Sequence, residues 1–564
     1  MTDRRRVLIL GLDGATWTVL DPWVGDGSLP NLAALRARGV WGPLESTIPP
    51  LTPPAWTSFL TGKNPGRHGV FHFAVPDERT VDLAAGTPTI VDGRSIRSAT
   101  LWDILGHHGR RLVTINVPMS YPPRPVNGVM VTCLLTPPDA PTFTYPPELS
   151  ALLVDYQIDL DRFIGDKPFA RDGQGPRPKR VIEPSVELVA EFEAMEERRA
   201  RTALDLMRAE PWEVFTVVFS APDRMGHYLW PYHRSDDLDG SPQASAIHEA
   251  IARFYRRLDE WIGELVAEAG PDVDIVVLSD HGMGPAFRRI VHWNAWLYRR
   301  GLVALEAATA RRSLDGWLLR FGLPRDRLGR LVRRLPGLGR SRAVEALRRA
   351  PTARIDLVRS HAYFVRIFDP VGGIRVNAEG PERERLIGEL LEALPSVVDP
   401  ATGRPIVRRA ARREECFDGP YAGLMPDVIV VMDEAYGTSD RVAAYSATVT
   451  DRPAVDDPGT HRIDGVLVLA GPDVAARPEP VVGPRIVDVA PTVLHLLGLP
   501  IPDDMDGRVL VELLAPPARD RDPVRSAPLP RWPSEEEAVP LDERGEAGET
   551  DEVRERLRSL GYVE

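Results

Sequence analysis

Four groups of metal-capable residues in this chain each adjoin a short apolar run, and a threonine followed by two prolines stands apart from them. Val7–Leu12 leads into Asp13, Phe215–Ser220 into Asp223 and His227, and Ile275–Ser279 into Asp280 and His281. The fourth run, Gly465–Ala470, is closely preceded by His461. Carboxylate and imidazole in combination suit zinc, and also manganese or iron. Any one pair has an ordinary explanation: Asp-His-Gly is a common loop tripeptide, and a lone histidine is more often a surface or core residue than a ligand. Four such groups in one ordered arrangement are much harder to explain that way.

The threonine lies in Pro49-Pro50-Leu51-Thr52-Pro53-Pro54-Ala55-Trp56-Thr57-Ser58-Phe59-Leu60-Thr61-Gly62. Pro53 and Pro54 suit the first turn of a helix. The Thr52 hydroxyl then sits near a helix N-terminus, where backbone N–H groups favour phosphate oxygens. A free threonine hydroxyl is a weak nucleophile, and metal coordination activates it by lowering its pKa. Local sequence equally allows Thr52 to be a plain N-cap.

These residues need elements to bring them together. The four runs are rich in Val, Ile, Leu or Phe and have the length of strands buried on both faces. Between them, Glu196–Glu210 has a charged amphipathic pattern. Ser245–Glu268 repeats apolar residues at helical spacing through Ile247, Ile251, Phe254, Leu258, Ile262 and Leu265. Alternating strands and helices predict an α/β fold with a mostly parallel sheet sandwiched by helices. Ligands gather at the carboxyl ends of strands in such sheets, so three of the groups converge there. His461 has to arrive from the loop before its strand. Asp280 and His281 cannot share one strand face, but a turn at the strand end lets both reach one ion.

Two regions interrupt the alternation. Residues 72–190 are proline-rich and predict an insertion with loops over one sheet edge. Residues 300–425 form the second, and within them Arg311–Arg354 is strongly basic and helical in pattern. A basic amphipathic stretch can bind anionic membranes or acidic ligands, though it is more often a solvated face. Pro516–Thr550 has the composition of a flexible linker. Asp551–Leu560 predicts a short helix with Val553, Leu557 and Leu560 on one side, docking on the body or on a partner.

Bulk composition narrows the function classes. The 564 residues carry a formal net charge of −12, which argues against a nucleic-acid polymer as partner. Lys63, Lys167 and Lys179 are the only lysines, so positive charge is carried by arginine, whose forked donor suits phosphate oxygens. Cys133 and Cys416 are too few for a disulfide framework or a cysteine-rich zinc site. They fit a reducing compartment. The apolar run at Val7–Leu12 is too short for a signal segment, and no run of about 18 apolar residues predicts a transmembrane helix. A cytoplasmic protein is expected.

Taken in order, Asp13, the Thr52 segment with Thr61-Gly62-Lys63-Asn64-Pro65-Gly66-Arg67-His68-Gly69, Pro222-Asp223 with Gly226-His227, Asp280-His281-Gly282-Met283-Gly284 and Gly459-Thr460-His461 follow one pattern. The pattern resembles the type I phosphodiesterase/nucleotide pyrophosphatase branch of the alkaline phosphatase superfamily. It is similar, more closely, to a bacterial group of predicted phosphohydrolases and phosphomutases within that superfamily. The resemblance implies an alkaline-phosphatase-like fold with an inserted cap. It implies two divalent ions, zinc in most of the branch, with manganese as the alternative. Carried over, Asp13, Thr52, Asp280 and His281 would hold one ion, and Asp223, His227 and His461 the other. Thr52 would be the nucleophile of a phosphohydrolase acting on a small phosphodiester or phosphomonoester through a phospho-threonine. Position 52 is not the Cys or Ser that sulfatases of the superfamily require. Asn116 is a candidate for a substrate-binding asparagine of this branch. His68 reads as structural, and Asn294 as a helix cap. The cap motif around Gly373–Gly380 departs from its usual order at Pro381-Glu382-Arg383.

The implied organisation is a core over 1–299 that includes the 72–190 insertion, a cap over 300–425, the rest of the core over 426–515, and a linker with C-terminal helix over 516–564. A phosphotransferase or mutase would use the same metal site with an acceptor other than water. A binding protein on a retained fold is a third class, and the complete ligand set argues against it.

Overall fold

The computed structural model describes residues 5–74, 90–160, 182–306, 354–439, 448–451 and 458–529, together with Val553, Arg556 and Leu557. The chain divides into two compact units: Met1–Ala286, Asp418–Tyr421 and Asp456–Glu564 form one, Phe287–Phe417 and Ala422–Val455 the other. The basic stretch 311–354 lies almost entirely outside the described residues, as do 530–550 of the expected linker.

The first unit is built on one eight-stranded sheet. Its strands are β1 (Arg6–Leu12), β2 (Gly39–Glu45), β3 (Leu112–Ile115), β4 (Gly128–Val131), β5 (Thr144–Tyr145), β6 (Val214–Phe219), β7 (Val273–Leu278) and β8 (Asp464–Ala470), in the spatial order β2-β8-β7-β1-β6-β3-β4-β5. From β7 to β4 all neighbours are parallel. β8 runs antiparallel to both β7 and β2. The four apolar runs seen in the sequence are β1, β6, β7 and β8, and every residue of β6 and β7 is buried.

Burial on both faces explains why these strands lack alternation. Val7 and Ile9 of β1, Val214 and Val218 of β6, Val276 and Leu278 of β7, and Leu467 and Leu469 of β8 belong to a single cluster. That cluster includes Trp56 and Phe59 of helix α1 (Thr52–Thr61) and most of the helix Val489–Leu496. Successive side chains of a strand point to opposite faces, so the remaining residues face the other layer. There Phe219 stacks on Trp261, with ring centroids 6.2 Å apart. Trp261 belongs to helix α4 (Pro242–Ala269), which packs against helix α2 (Val186–Ala209). All six apolar residues of the helical repeat at 245–268 are buried in α4.

The proline-rich region does more than loop over an edge. Its described part supplies β3, β4 and β5, which extend the sheet beyond β6. Residues 75–89 and 161–181 of it lie outside the described residues. Of the expected C-terminal helix, Val553, Arg556 and Leu557 are described as helical and buried. Arg556 donates to the carbonyls of Leu134 and Thr136, the latter at 3.2 Å, which anchors this segment to the body.

The second unit has an antiparallel sheet of Ala362–Phe368, Val371–Val376, Val428–Met432 and Val407–Arg412, in that order. The helix Gly380–Ala393 packs on it, burying Leu386, Ile387 and Leu390. Asn294 corrects an expectation here. It is not a helix cap: the cap of the helix Trp293–Arg299 is His292, and Asn294 lies inside the helix. Its amide donates to Phe364 O at 2.9 Å and accepts from Phe364 N at 2.7 Å, so it clamps a strand as a backbone group would.

Asp274, at the start of β7, gives the fold a pH dependence. It is almost fully buried and accepts one hydrogen bond, from Asp473 N at 3.0 Å. Burial pushes its carboxyl up to about 7, against the pull of that hydrogen bond. An acid whose folded pKa is raised contributes stability that is present below its unfolded pKa and is lost as pH rises through the folded value. Asp274→Asn keeps the acceptor and removes the charge. We expect its stability advantage over the parent to grow between pH 5 and pH 8 by at least about 1 kcal/mol, since one pKa unit is worth about 1.4 kcal/mol. Urea denaturation at the two pH values measures this, and a difference independent of pH would show that Asp274 is ionised throughout.

Candidate metal centre

Each metal-capable group is delivered by a break in regular structure at one end of the sheet. β1 stops at Leu12, and Asp13 follows directly. Gly14 then takes a φ of +66°, which L residues rarely adopt, and a Cβ there would lie 2.8 Å from the Cα of Asp223. Gly14 thus lets two chain segments meet, and its N–H donates to Asp280 Oδ1 at 3.2 Å. β7 stops at Leu278, and the chain turns so that both Asp280 and His281 point into one place: His281 Nε2 is 3.3 Å from Asp280 Oδ2 and 3.9 Å from Asp13 Oδ1. Asp223 and His227 are four residues apart on helix α3 (Ala221–Leu229), which begins directly after β6 and its Ser220, and that spacing puts them on one face.

His461 reaches the same end because β8 is antiparallel. The start of β8 lies beside the finish of β7, so a residue just before β8 is where residues just after β7 are. His461 sits in a short strand, Gly459–Arg462, paired antiparallel with Gly282–Pro285. Its ring stacks on that of His281 with centroids 3.6 Å apart. His461 Nε2 is 3.4 Å from Asp223 Oδ1 and 2.9 Å from His227 Nε2.

Thr52 is the first residue of α1, and the position before it, the N-cap, is Leu51. The hydroxyl is therefore not a cap; it lies 3.4 Å from His281 Nε2. The prolines alter the expected phosphate site. Of the three first-turn residues Thr52, Pro53 and Pro54, only Thr52 has an N–H to offer. A phosphoryl oxygen would meet one backbone donor here, that of Thr52, and not a cradle of several.

Asp13, Thr52, Asp223, His227, Asp280, His281 and His461 are all buried. Among them, Asp13 with Asp280 and His281, and Asp223 with His281 and His461, form two overlapping groups of ligand atoms, and His227 Nε2 lies 3.4 Å from Asp223 Oδ1. Three carboxylates at close quarters are costly without cations. Burial, followed by the charge of Asp223, pushes Asp13 up to about 8. Burial and the charges of Asp13 and Asp223 hold Asp280 well above the usual carboxylate range. Burial would raise Asp223 too, but the imidazoles of His227 and His461 outweigh it and hold Asp223 well below that range. Burial, with the charge of His461, lowers His281 strongly, and burial lowers His461.

Carbonyl oxygens only accept, which settles two tautomers. Nδ1 of His461 donates to Pro50 O at 2.8 Å, and Nδ1 of His281 donates to Gly282 O at 3.2 Å. In each neutral ring Nε2 then carries the lone pair, aimed into the cluster. Backbone carbonyls orient metal-ligating histidines in this way. Asp13 Oδ1 and Asp280 Oδ2 are buried without a hydrogen bond. Orphaned carboxylate oxygens, imidazole lone pairs and raised carboxylate pKa values in one place fit divalent cations.

Two partners of these residues escaped sequence reasoning. Trp56 Nε1 donates to Asp13 Oδ2 at 3.1 Å. Trp56 lies four residues after Thr52, on the same helical face, and that spacing was the available signal. Arg224 donates to Asp223 Oδ2 at 3.2 Å. Asn116 follows β3 with a φ of 57° and donates its amide to Val218 O at 2.8 Å; no contact between it and the metal-capable residues is seen among the described residues. His68 has a structural setting. Its Nδ1 accepts from Val70 N at 3.2 Å, so Nε2 donates to Ser58 Oγ at 2.9 Å, and burial lowers its pKa to about 3.

The sequence matches the family described as type I phosphodiesterase / nucleotide pyrophosphatase over residues 7–440. No curated protein matches it. Among solved structures, phosphonoacetate hydrolase from Sinorhizobium meliloti, in complex with phosphonoformate, superposes with a TM-score of 0.50 at 16% identity, covering 88% of this chain and 95% of that one. Murine ectonucleotide pyrophosphatase / phosphodiesterase 5, in an inactive form in complex with AMP, gives 0.47 at 13% identity over 91% of this chain and 100% of that one.

Proposed function

The chain belongs to the type I phosphodiesterase / nucleotide pyrophosphatase family of the alkaline phosphatase superfamily, and from that premise we propose that it is a metal-dependent phosphoric ester hydrolase, that Thr52 is its nucleophile and that two divalent ions share its seven metal-capable residues. Asp13, Thr52, Asp280 and His281 would hold one ion; Asp223, His227 and His461 would hold the other. Zinc suits the carboxylate and imidazole set, and manganese is the alternative. The observation that carries the proposal is the Thr52 hydroxyl, buried, released from capping and 3.4 Å from His281 Nε2.

Bound ions supply the charge that acidifies the Thr52 hydroxyl and offsets the phosphoryl oxygens. The chain's own residues do the rest. Thr52 Oγ, its proton passed to solvent, attacks phosphorus in line; the Oγ–P bond forms as the bond to the leaving oxygen breaks, and that oxygen takes a proton from water and departs as the alcohol. The Thr52 N–H donates to a phosphoryl oxygen. Helix α1 fixes the nucleophile, and Trp56 holds Asp13 beside it. Water then cleaves the phospho-threonine and restores the hydroxyl. The substrate is a small phosphodiester or phosphomonoester. Cys133 and Cys416 are both free, which supports a cytoplasmic location. Among the described residues no helix is long and apolar enough to cross a membrane.

Turnover of matched aryl phosphodiester and phosphomonoester substrates by the zinc- or manganese-loaded protein tests the proposal. Hydrolysis of one of the two is expected, with a stoichiometric burst of the aryl alcohol if the phospho-enzyme accumulates. No turnover of either, with both ions bound, would favour transfer to an alcohol acceptor over hydrolysis.

A further inference from the structure

Helix α3, which carries Asp223 and His227, lacks a cap of its own. Its N-cap Ser220 makes no side-chain capping bond, and Pro222 has no N–H. Of the N–H groups left at its start, those of Ser220 and Ala221 both donate to Glu196 Oε1, each at 2.7 Å. Glu196 is on helix α2, 24 residues before Ser220, and is completely buried. Its other oxygen pairs with Arg199, also completely buried and one turn further along α2. Arg199 in turn donates to Ser220 Oγ and Ile158 O, both at 3.1 Å.

A buried ion pair is an expensive way to stabilise a fold, because apolar residues of similar volume often do as well. Its use here has a geometric sense. A carboxylate at a helix N-terminus fixes where the helix begins and complements its dipole. The residues placed by that start are Asp223, three residues after Ser220, and His227 one turn beyond. We infer that Glu196 and Arg199 are positioning residues for the metal site made by Asp223, His227 and His461, and not for the one made by Asp13, Thr52, Asp280 and His281. This inference rests on the two-ion reading above.

Two variants separate positioning from plain stability. Glu196→Leu combined with Arg199→Met removes both charges together, leaves no unpaired charge in the core and deletes the cap of α3. Glu196→Gln keeps an acceptor oxygen for Ser220 and Ala221 but confronts Arg199 with an amide. Zinc affinity is measured by competition with a chromophoric chelator, and stability by thermal melting of the same samples. In the double variant, which leaves the buried N–H groups of Ser220 and Ala221 without their acceptor, we expect lowered melting together with one of two ions bound about 10- to 100-fold more weakly, the usual cost of losing an outer partner of a metal ligand. In Glu196→Gln we expect lowered melting and both affinities within about threefold of the parent, by the same principle of a retained partner. Affinity that follows stability across the two variants, or unchanged affinity in the double variant, would overturn the inference while leaving the two-ion reading intact. A parent protein that binds fewer than two ions would overturn both.

Discussion

Replacing Thr52 with alanine is expected to lower kcat/KM by at least about 10³-fold, in line with the loss seen when a catalytic nucleophile is removed, while the protein folds and melts as before. The two halves of this expectation have separate grounds. Thr52 caps nothing, and its hydroxyl has one described contact, the 3.4 Å approach to His281 Nε2. The methyl and backbone that remain in alanine keep the first turn of α1, which Pro53 and Pro54 already fix in φ. Little stability therefore depends on the oxygen. The proposed chemistry does depend on it, because this is the hydroxyl set against His281 Nε2, whereas the Ser46 hydroxyl is spent on the carbonyl oxygen of Asp280. The variant should retain its metal within a few-fold, since a threonine oxygen is one donor among several. Steady-state kinetics with an aryl ester, calorimetric melting and metal analysis on one preparation separate these statements. Parental turnover in Thr52→Ala would remove Thr52 from the mechanism.

Metal removal is the second large effect. Dialysis against a chelator is expected to abolish turnover, and zinc or manganese to restore it. The physical basis is the crowding of Asp13, Asp223 and Asp280. Without cations, burial and the charges of their neighbours push the Asp13 and Asp280 carboxyls up. With cations they are ionised ligands. Ions that bind the folded chain and not the unfolded one would also raise stability, by about 2.7 kcal/mol at a free concentration 100 times Kd. Loss of activity on chelation should therefore accompany a lower melting temperature, and both should recover together. Full turnover in protein shown by elemental analysis to be metal-free would end the two-ion proposal.

Much of this site could be found without a fold. Chemical type and order along the chain are local facts, so Asp13, Thr52, Asp223, His227, Asp280, His281 and His461 could all be named in advance. The apolar runs that became β1, β6, β7 and β8 were equally visible, because a strand buried on both faces needs an unbroken run of apolar residues. The helix over 245–268 showed itself through its period. Shorter or more polar elements did not: β2 and the strands of the proline-rich region have no period of their own and owe their pairing to neighbours in the sheet. Strand direction was also hidden. Nothing in Gly465–Ala470 says that β8 is antiparallel, yet only that direction brings His461 beside His281.

The sequence by itself determined which donors are present, that α/β strand ends would present them, and that a helix could begin beside Thr52. Only the tertiary structure decided that Thr52 is not the cap, that Trp56 and Arg224 hold the carboxylates, that Asn294 clamps a strand, and that Glu196 begins the helix bearing Asp223 and His227. The physical reason is range. Residue type and periodicity act over one or two turns of chain, whereas these hydrogen bonds and strand pairings join residues that only packing brings together.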